Sequence, residues 1–391
     1  MNDQWDVVVV GAGPAGAAAA LAVLASRPHT SVLLLDRARF PRDKACGDGI
    51  AAHAVDVLAA IGVPGVVDDD VPVARFDLTY GAARVTRPMA RPAWVVPRTT
   101  FDARLADAAV ASGAVLRHHR VRTVRCTPDA VMVDDTVRAR VLIGADGAYS
   151  AVRRAIGAGP TRRRAFALRG YAPTPPARAG RQSIVFASAS EPAYAWSFDI
   201  GDGWSNVGYG LYPSATASTP SRQMLQDHLE QLLPGSTRHA TAWRGHHLPL
   251  SSWRWSNPRG SVLLAGDAAG LVNPLTGEGI YYAVATGALA GRAAATALAT
   301  GRPAAAGAAY RSRVRSALGR HLRHTSTVAR LARVPTVLRA GVRAAADEQE
   351  LFDDLVEVGL GRGLVTARLV TGLVRHARGP WAAGAGPSGS S

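Results

Sequence analysis

The N-terminal glycines have the spacing of a phosphate-binding turn. Residues 11–16 read GAGPAG, a GxGxxG pattern that follows a β-branched run and opens an alanine-rich stretch. In that setting Gly11 allows a tight turn, Gly13 lets a pyrophosphate approach the backbone, and Gly16 lets a helix pack closely on a strand. The free N–H groups and the positive dipole end of the helix would bind the anion. The pattern therefore predicts a pyrophosphate site.

A carboxylate stands where a ribose could be bound. Asp36 follows the apolar run at 32–35, which we expect to be the second strand of the same unit, about twenty positions after Gly16. Strand, glycine turn, helix and strand in this order form a right-handed parallel βαβ unit. A carboxylate at its second strand end can accept hydrogen bonds from adenosine ribose hydroxyls. These features predict a dinucleotide-binding unit, but alone they do not distinguish FAD from NAD.

Two more aspartates follow apolar runs that read as strands of the same sheet. Asp146 lies in GADGAYSAVR at 144–153, and Asp267 lies in GDAAG at 266–270. With these segments the chain resembles the flavoprotein monooxygenase and geranylgeranyl reductase superfamily. In that superfamily the GD aspartate binds the ribityl chain and the DG motif lies near the pyrophosphate. The resemblance implies FAD as the cofactor and assigns these roles to Asp267 and Asp146.

Four segments narrow the resemblance to the geranylgeranyl reductases. Residues 40–49, FPRDKACGDG, resemble their K-x-C-G-x-G segment, and residues 97–105, PRTTFDARL, are similar to their R-x-x-F-D-x-x-L segment, whose arginine contacts FAD. Residues 194–210 begin YAWSF and end NVGYG, like their Y-x-W-x-F-P and N-V-G-x-G patterns. Residues 273–279, NPLTGEG, resemble their P-L-T-G-E-G-I segment. The segments follow the family's order.

One residue departs from the family pattern. Asp199 stands where the Y-x-W-x-F-P pattern has its proline, at a position that the family places near the lipid-binding cavity. Burial of an unpaired carboxylate is costly, so an acidic group there would argue against a purely hydrocarbon substrate. The alternative is that Asp199 is an exposed turn residue.

The motifs and the resemblance together define an expected site. The expected FAD contacts are Gly11, Gly13, Ala15, Gly16, Asp36, Arg37, Cys46, Gly47, Arg98, Asp146, Gly147, Gly266, Asp267, Pro274, Gly277, Gly279 and Ile280. The expected catalytic residues are Cys46, Tyr194 and Trp196. Cys46 could donate a proton, with Lys44 lowering the pKa of its thiol, or it could be a small residue that simply fits the loop. Tyr194 and Trp196, with Tyr209, could line a substrate cavity or pack in an ordinary core.

The glycines of the last segment could stabilise a reduced flavin. Gly277 and Gly279 lie beside the start of a helix that we expect from about Glu278. Backbone N–H groups and the positive end of that helix would face any anion docked there, and the N1 and C2 carbonyl edge of a reduced flavin is such an anion. Stabilising this charge makes the two-electron reduced state accessible.

The order of elements predicts an α/β fold: a Rossmann-type FAD-binding domain with a parallel sheet, an antiparallel substrate-binding sheet and C-terminal helices. The second sheet is expected because residues 73–97 and 165–250 alternate aromatic and aliphatic positions, with glycine turns and no long helices. The chain after Gly279 reads as helices, with breaks at Pro303 and Pro335. The predicted domains are an FAD-binding domain at 1–72, 98–164 and 251–300, a substrate domain at 73–97 and 165–250, a helical region at 301–378 and a disordered tail at 379–391.

Charge and hydropathy argue against several classes of protein. The net charge is +16, but Lys44 is the only lysine and the arginines are spread along the chain, which indicates a usage bias and not a nucleic-acid-binding stripe. An arginine-rich helical stretch at 311–343 is either a solvated face or a surface attracted to anionic lipid headgroups. Residues 7–25 are apolar, but no basic residue precedes them and glycines interrupt them. We therefore expect neither a signal sequence nor a membrane span there.

The cysteines and histidines argue for a cytoplasmic enzyme without a metal site. Cys46 and Cys126 are the only cysteines, and their settings are too different to suggest a disulfide. The histidine pairs at 118–119 and 246–247 are adjacent in sequence, so their side chains point in opposite directions on a strand and do not chelate one ion. Peripheral membrane association stays open.

Two reactions and one non-catalytic role stay open. The leading hypothesis is FAD-dependent reduction of an isoprenoid or similarly apolar alkene, in which reduced FAD delivers hydride to one carbon and an acid protonates the other. The alternative is a monooxygenase or epoxidase that acts on an aromatic or terpenoid substrate through a flavin peroxide, because no motif records oxygen access. The third is a membrane-attached flavin-binding protein without catalysis. Only one Rossmann fingerprint occurs, so NAD(P)H would bind transiently, or a ferredoxin would donate electrons.

Overall fold

A computed structural model describes residues 3–127, 129–159, 161, 163–187, 192–212, 220–252 and 260–377. The predicted disordered tail at 379–391 lies outside these residues. Within them, no helix combines the length and apolar character needed to cross a bilayer. No group of three or more histidine, cysteine or acidic side chains in the described part of the chain could hold a metal ion.

The first sheet has the parallel core that the glycine motif predicts. Its central strand β1 pairs in parallel with β2 and β9, β6 pairs with β2, and β15 pairs with the C-terminal half of β9. These five strands are β1 (Asp3–Val10), β2 (Val32–Asp36), β6 (Val115–His118), β9 (Val137–Gly144) and β15 (Val262–Leu264). Val7 and Val9 enter one hydrophobic cluster and Val8 and Val10 the other, so both sheet faces are buried. A short antiparallel extension, β7 (Val124–Cys126) and β8 (Val131–Val133), continues from β9.

Two helices with small residues at their contact cover one face of this sheet. They are α1 (Pro14–Ser26) and α6 (Ile280–Ala299). A Cβ atom built on Gly287 would lie 2.1 Å from the carbonyl oxygen of Ala15, and one on Gly291 would lie 2.3 Å from that of Ala19. Glycine at both positions therefore lets the two backbones touch, and the N-termini of both helices open on the same cleft.

The second sheet is mostly antiparallel, with two differences from the prediction. Its strands are β3 (Gly49–Ala51), β4 (Pro72–Tyr80), β5 (Ala83–Val95), β10 (Arg164–Pro173), β11 (Arg181–Phe186), β12 (Ala193–Asp199), β13 (Trp204–Leu211) and β14 (Thr241–Pro249). β4 and β11 pair in parallel. β4 forms an antiparallel ribbon with β5, β11 forms another with β12, and the two ribbons join along this pair of strands. β3 lies in the range predicted for the FAD-binding domain but pairs with β5.

The expectation of no long helix between 165 and 250 was wrong. The helix α5 (Arg222–Leu232) packs Leu225 and Leu229 against the outer face of the second sheet, and Ser221 caps its start by accepting a hydrogen bond from Met224 N. Serine followed by residues with apolar side chains at a spacing of four is a helix signal that the strand texture of this region obscured.

The remaining helices include the expected C-terminal set. They are α2 (Ala52–Ala59), α3 (Arg98–Ala111), α4 (Ala151–Ala155), α7 (Ala306–Leu331), α8 (Pro335–Asp347), α9 (Gln349–Leu360) and α10 (Ala367–Ala377). Pro303 begins a 3₁₀ turn and Pro335 begins α8, which confirms both predicted breaks. Phe352 and Val342 of α9 and α8 join the cluster under the second sheet, so the C-terminal helices close one end of it.

Candidate active site

A cavity of about 950 Å³ runs from the carboxyl ends of the first sheet to the inner face of the second. Val10, Leu35 and Ala145 mark its sheet end, and Ile184 and Trp196 mark the far end. The carboxyl ends of parallel strands are where ligands bind in open α/β sheets. One continuous space can therefore hold a dinucleotide at one end and a second ligand at the other.

The glycine turn has the geometry that its spacing predicts. Gly11 has a φ of 97°, in the left-handed region, and a Cβ atom there would lie 2.4 Å from the carbonyl oxygen of Ala145. A Cβ atom on Gly16 would lie 1.7 Å from the carbonyl oxygen of Gly11, which explains the need for glycine between turn and helix. Gly13 precedes α1, whose start no side chain caps, so its first N–H groups are available to an anion.

Two arginines converge on this helix start. Arg98 is buried and donates to both carboxylate oxygens of Asp102, from Nε at 2.7 Å and from Nη2 at 2.8 Å. Arg42 reaches the same carboxylate at 2.8 Å, and a Cβ atom on Gly13 would lie 3.0 Å from its Nη2. A pyrophosphate at Gly13 would meet both guanidinium groups. Sequence reasoning named Arg98 but gave no role to Arg42 or Asp102.

Lys44 has a different partner from the one expected. Its ammonium lies 3.1 Å from Asp267 Oδ2. Burial alone would raise the pKa of Asp267, but the Lys44 ammonium holds it below its usual value. Burial raises the pKa of the Cys46 thiol despite the nearby Arg98. The hypothesis that Lys44 lowers the thiol pKa was therefore wrong, and Cys46 keeps its proton at neutral pH.

The carboxylates of Asp36 and Asp146 are both engaged by backbone N–H groups. Asp36 accepts hydrogen bonds from Ala12 N and Ala38 N, each at 2.8 Å, which fixes the carboxylate at the strand end beside the glycine turn. Asp146 accepts from Ala151 N at 2.6 Å, at the start of α4, where Ser150 is the N-cap residue. Both aspartates line the cavity, as expected. Each Asp36 oxygen and Asp146 Oδ1 accept one hydrogen bond and retain a lone pair for a ligand hydroxyl, whereas Asp146 Oδ2 accepts from both Ala151 N and Val152 N.

A buried hydrogen-bond network connects the cysteine loop to the second sheet. The amide of Asn206 accepts from Trp196 Nε1 and donates to both Cys46 O and Asp48 Oδ2, each at 2.8 Å. Tyr171 donates to the same Asp48 oxygen at 2.6 Å. Burial raises the pKa of Asp48 to about 6 in spite of these donors. None of Asp48, Asn206 and Tyr171 was predicted, because this network joins residues far apart in sequence.

The glycines of the NVGYG segment make room for two aromatic rings. β12 and β13 pair Tyr194 with Gly210 and Trp196 with Gly208. A Cβ atom on Gly208 would lie 2.2 Å from Trp196 Cζ2. Tyr194 and Trp196 line the cavity, as expected. Tyr209 does not line it, because it pairs with Ala195 and so lies on the opposite face, where it contacts His228 of α5.

The start of α6 also lines the cavity, but one of its N–H groups is already used. The helix begins at Ile280, and Glu278 Oε1 accepts from Tyr281 N at 2.7 Å. Burial raises the pKa of Glu278 to about 7. Glu278 therefore occupies part of the helix end that we expected to be free for a flavin, because its carboxylate also interacts with the backbone N–H of Ile280. Gly279 and Ile280 still line the cavity.

Most of the predicted cofactor residues line the cavity. They are Gly11, Gly13, Ala15, Asp36, Arg37, Cys46, Gly47, Arg98, Asp146, Gly147, Asp267, Gly277, Gly279 and Ile280. Gly16, Gly266 and Pro274 were predicted as contacts but lie behind this lining. Gly266 supports it through close packing, since a Cβ atom there would lie 3.1 Å from Ala15 Cβ.

Asp199 fits neither of its two predicted settings. It is buried and accepts hydrogen bonds from Gly180 N at 2.6 Å and Gly201 N at 3.1 Å, with Thr174 Oγ1 at 3.2 Å. It does not line the cavity. Its carboxylate holds neighbouring turns together, so it does not bear on the polarity of the substrate.

The residues at the sheet end of the cavity fit FAD. The open helix start with Arg42 and Arg98 suits a pyrophosphate, and Asp36 suits the adenosine ribose. Asp267 and Lys44 also line the cavity, where they would contact a ribityl chain. Burial, together with Lys44, lowers the pKa of His246 to about 4, and its buried Nε2 has no hydrogen-bond partner among the described residues. A polyhydroxylated ligand would satisfy such an atom.

Comparisons with known proteins agree with this site. A family model described as FAD binding domain matches residues 4–192. Menaquinone reductase of Mycolicibacterium smegmatis is 35% identical over 316 residues, which cover 74% of this chain and 76% of that protein. Digeranylgeranylglycerophospholipid reductase 1 of Methanopyrus kandleri is 30% identical over 75% of this chain and 81% of its own length. A geranylgeranyl bacteriochlorophyll reductase-like structure from Thermoplasma acidophilum shares the fold, with a TM-score of 0.72 at 20% identity and 96% coverage of both chains.

Fold, site and comparisons define the class of protein as an FAD-dependent oxidoreductase. Within that class, the chain belongs to the geranylgeranyl reductase family. The resemblance found in the sequence motifs is thereby confirmed.

Proposed function

We propose that this enzyme reduces a carbon–carbon double bond in the polyprenyl chain of a lipid. The observation that carries the proposal is the continuity of the cavity, which joins the dinucleotide end to a pocket with apolar walls. Apolar side chains that line this pocket are Ile50, Ala51, Ala93, Ile184, Trp196, Phe198, Leu248 and Leu360. Transfer of a hydrocarbon chain from water into such a pocket is favourable by about 25 cal/mol per Å² of apolar surface.

The names of the relatives support the same substrate class. Menaquinone and digeranylgeranylglycerophospholipid have different head groups, but both carry polyprenyl chains. The shared part of these molecules is therefore the part that an apolar pocket can accommodate. We infer that this site binds the polyprenyl chain of the substrate and does not require one particular head group.

Side chains of the pocket are suited to hold protons and exclude water. Bound and reduced FAD supplies the hydride for a reduction of this kind. The Cys46 thiol lines the cavity and stays protonated, so it is a candidate donor for the accompanying proton. Tyr194 also stays neutral, because burial raises the pKa of its hydroxyl, but that hydroxyl donates to Thr276 O at 2.7 Å. Tyr194 is therefore better placed to position the loop before α6.

The experiment that tests the proposal is an anaerobic turnover assay. FAD-loaded protein would be reduced with dithionite and mixed with geranylgeraniol or menaquinone in detergent, and products would be identified by mass spectrometry. The proposal expects a product with two additional hydrogens in the chain and reoxidation of the flavin without oxygen. A product that forms only with oxygen and gains an oxygen atom would instead support a monooxygenase.

A matched pair of variants tests whether the apolar pocket is the substrate site. Ala93→Phe adds a ring to a buried pocket wall, whereas Ala317→Phe adds the same ring to an exposed position on α7. We expect Ala93→Phe to retain bound FAD and to lose turnover of polyprenyl substrates, and Ala317→Phe to keep both. Equal turnover by the two variants would contradict the location of the substrate.

We also propose that the enzyme meets its lipid at an anionic membrane surface. Leu331, the last residue of α7, and Val334, in the turn before α8, are 49% and 46% exposed, and Arg330 and Arg333 beside them are exposed too. Apolar side chains flanked by arginines suit an anionic bilayer surface. This arrangement supports the interpretation that the arginine-rich stretch is attracted to anionic lipid headgroups, and not the alternative that it is a solvated helix face.

Vesicle sedimentation tests this surface independently of catalysis. The protein should sediment with vesicles that contain phosphatidylglycerol and much less with pure phosphatidylcholine. The double variant Leu331→Asp/Val334→Asp should weaken partitioning about tenfold, whereas Val110→Asp, which is 45% exposed on α3, should not. Equal partitioning of the three proteins would refute the proposed surface.

A further inference from the structure

The apolar pocket contains two buried polar atoms for which the protein offers no partner. They are Nε2 of Gln182 and Oδ1 of Asp48, and neither has a hydrogen-bond partner among the described residues. Both residues line the cavity. Since buried polar groups in folded proteins are almost always paired, two unpaired atoms in one pocket indicate a ligand that pairs with them.

Gln182 is a buried polar residue whose two register partners are aromatic. It is 2% exposed and lies on β11, where its register partners are Phe198 of β12 and Phe76 of β4. An aliphatic side chain of similar size would pack in such a setting without the cost of a buried unpaired donor, which is about 1–3 kcal/mol. Packing therefore does not explain the presence of an amide at this position.

Asp48 presents the second atom from the cysteine loop. It is fully buried and has a φ of 59°, so the backbone turns sharply at this residue. Tyr171 and Asn206 both donate to Oδ2, which fixes the carboxyl group and leaves Oδ1 on the other side. The network thus holds one oxygen in the protein and leaves the other for a ligand.

The glycines of the loop bring the two polar groups to the same part of the pocket. A Cβ atom on Gly49 would lie 3.9 Å from Gln182 Nε2 and 3.8 Å from the Phe198 ring. A Cβ atom on Gly47 would lie 3.3 Å from the same ring and 3.6 Å from Trp196 Nε1. Gln182 and the loop that carries Asp48 therefore face each other beside Phe198, with no side chain between them at Gly47 or Gly49.

We propose that Gln182 and Asp48 form a polar subsite that binds a neutral oxygen substituent of the substrate, a hydroxyl or a carbonyl. This inference rests on the proposed function, because it concerns the ligand of the same pocket. The Gln182 amide donates to the substrate oxygen. Asp48 Oδ1 accepts from a hydroxyl when the carboxyl is ionised, or donates to a carbonyl when it is protonated. The enzyme thereby selects polyprenyl molecules with an oxygen near the bound segment over plain hydrocarbons.

Farnesol, farnesylacetone and farnesene share a farnesyl-type isoprenoid chain and carry a hydroxyl, a carbonyl and no oxygen, respectively. Comparing the three separates binding at this subsite from binding in the apolar pocket. Dissociation constants would be measured on FAD-loaded protein from the perturbation of flavin absorbance. In Gln182→Leu the constants for farnesol and farnesylacetone should rise about 5- to 10-fold, as expected for one lost neutral hydrogen bond, while that for farnesene should not rise. Gln223→Leu, on the exposed start of α5, is the control and should change none of them.

Thermal unfolding of the same variants provides a readout that does not depend on a ligand. If Gln182 is kept for a ligand, Gln182→Leu should raise the Tm of the protein measured without isoprenoid, because the variant loses a buried unpaired donor. A Tm lowered by several degrees would show that Gln182 supports the fold and would overturn the proposal.

Asp48→Asn keeps the test valid if Gln182→Leu does not fold. The new amide oxygen can still accept from Tyr171 and Asn206, but its amide nitrogen can only donate into the pocket. We expect farnesol to bind several-fold more weakly and farnesylacetone to keep its affinity. Equal changes for farnesol, farnesylacetone and farnesene in both variants would overturn the subsite while leaving the proposed function intact. Failure of all three probes to bind the unmodified protein would overturn both.

Discussion

The two ends of the cavity are built in different ways. At the sheet end, the glycine turn and Asp36 form a cradle within one stretch of 26 residues, from Gly11 to Asp36, and Arg98, Asp146 and Asp267 join it from other parts of the chain. At the far end, the walls come from β5, β11 and β12 of the second sheet and from α9, which lie far apart in the chain. The centre of the first end is therefore set by local chain geometry, whereas the whole of the second end is set by long-range packing.

This difference separates what each end tolerates. Gly11 and Gly16 of the glycine turn accept no added atoms, because a Cβ atom on either would lie within 2.4 Å of a backbone carbonyl oxygen. A side-chain pocket can change size and polarity without loss of the sheet that carries it. We expect cofactor binding to fail abruptly on substitution at the first end, and substrate preference to change gradually on substitution at the second.

The largest effect is expected from Gly16→Ala. The new Cβ atom would lie 1.7 Å from the carbonyl oxygen of Gly11, which only a shift of the turn or of α1 could relieve. We expect protein without bound FAD and with severely impaired folding, measured by flavin absorbance and by yield of soluble protein. Gly159→Ala, where nothing lies within 4 Å, is the control and should bind FAD normally. Full FAD content in Gly16→Ala would contradict the backbone account of this end.

Removal of the charge that holds the two arginines should have the next largest effect. Asp102→Asn leaves the buried guanidinium of Arg98 without its carboxylate partner, and Arg42 loses the same contact. Breaking a buried ion pair costs about 3–5 kcal/mol, so unfolding in denaturant should shift markedly in FAD-free protein. Because a bound pyrophosphate would replace part of the lost charge, added FAD should recover some of that stability. The same loss with and without FAD would argue against pyrophosphate at this position.

A smaller effect, confined to the far end, is expected from Gly208→Ala. The added Cβ atom would lie 2.2 Å from the Trp196 ring and 2.3 Å from the carbonyl oxygen of Leu168, and overpacking of this kind costs about 1–3 kcal/mol, occasionally more. Gly210→Ala should cost less, because its nearest contact, Tyr194 Cζ, is at 3.3 Å. Both variants should keep FAD, and Gly208→Ala should bind polyprenyl ligands more weakly, as measured by denaturant unfolding and ligand titration. Loss of FAD from either variant would contradict the separation of the two ends.

The same contrast explains how far sequence reasoning reached. The strands of the first sheet, the helix α1 and most of the residues that line the sheet end of the cavity could be predicted, because each follows from a short sequence motif. The C-terminal helices and their proline breaks were likewise local signals. The partner of Lys44 could not be predicted, since Asp267 is 223 residues away in the sequence.

The far end was predicted only in part, for a related reason. Tyr194 and Trp196 line the cavity, as expected, but Tyr209 lies on the opposite face of the sheet. A list of aromatic residues therefore does not reveal which sheet face each one occupies. The register between β12 and β13 decides that, and register depends on the whole sheet. Asp48 and Gln182 carried no motif signal that marks them as unpaired. Unpaired polar atoms can be found only in a structure, where the hydrogen-bond partners of each buried atom can be identified.

Glu278 lies between the two ends, and its effect should be visible only as a dependence on pH. Its carboxyl has a pKa of about 7 in the folded protein against 4.5 as the ordinary value, so ionisation is disfavoured by folding. Glu278 should therefore contribute a loss of stability of roughly 1–3 kcal/mol to FAD-free protein as pH rises from about 4.5 to about 7, on top of the separate contributions of Asp48 and His246 in the same range. The stability of Glu278→Gln relative to the unmodified protein should rise by this amount over the range, whereas the difference for Glu350→Gln, at an exposed position on α9, should stay constant. Parallel curves of unfolding free energy against pH for all three proteins would show that Glu278 does not titrate in this range.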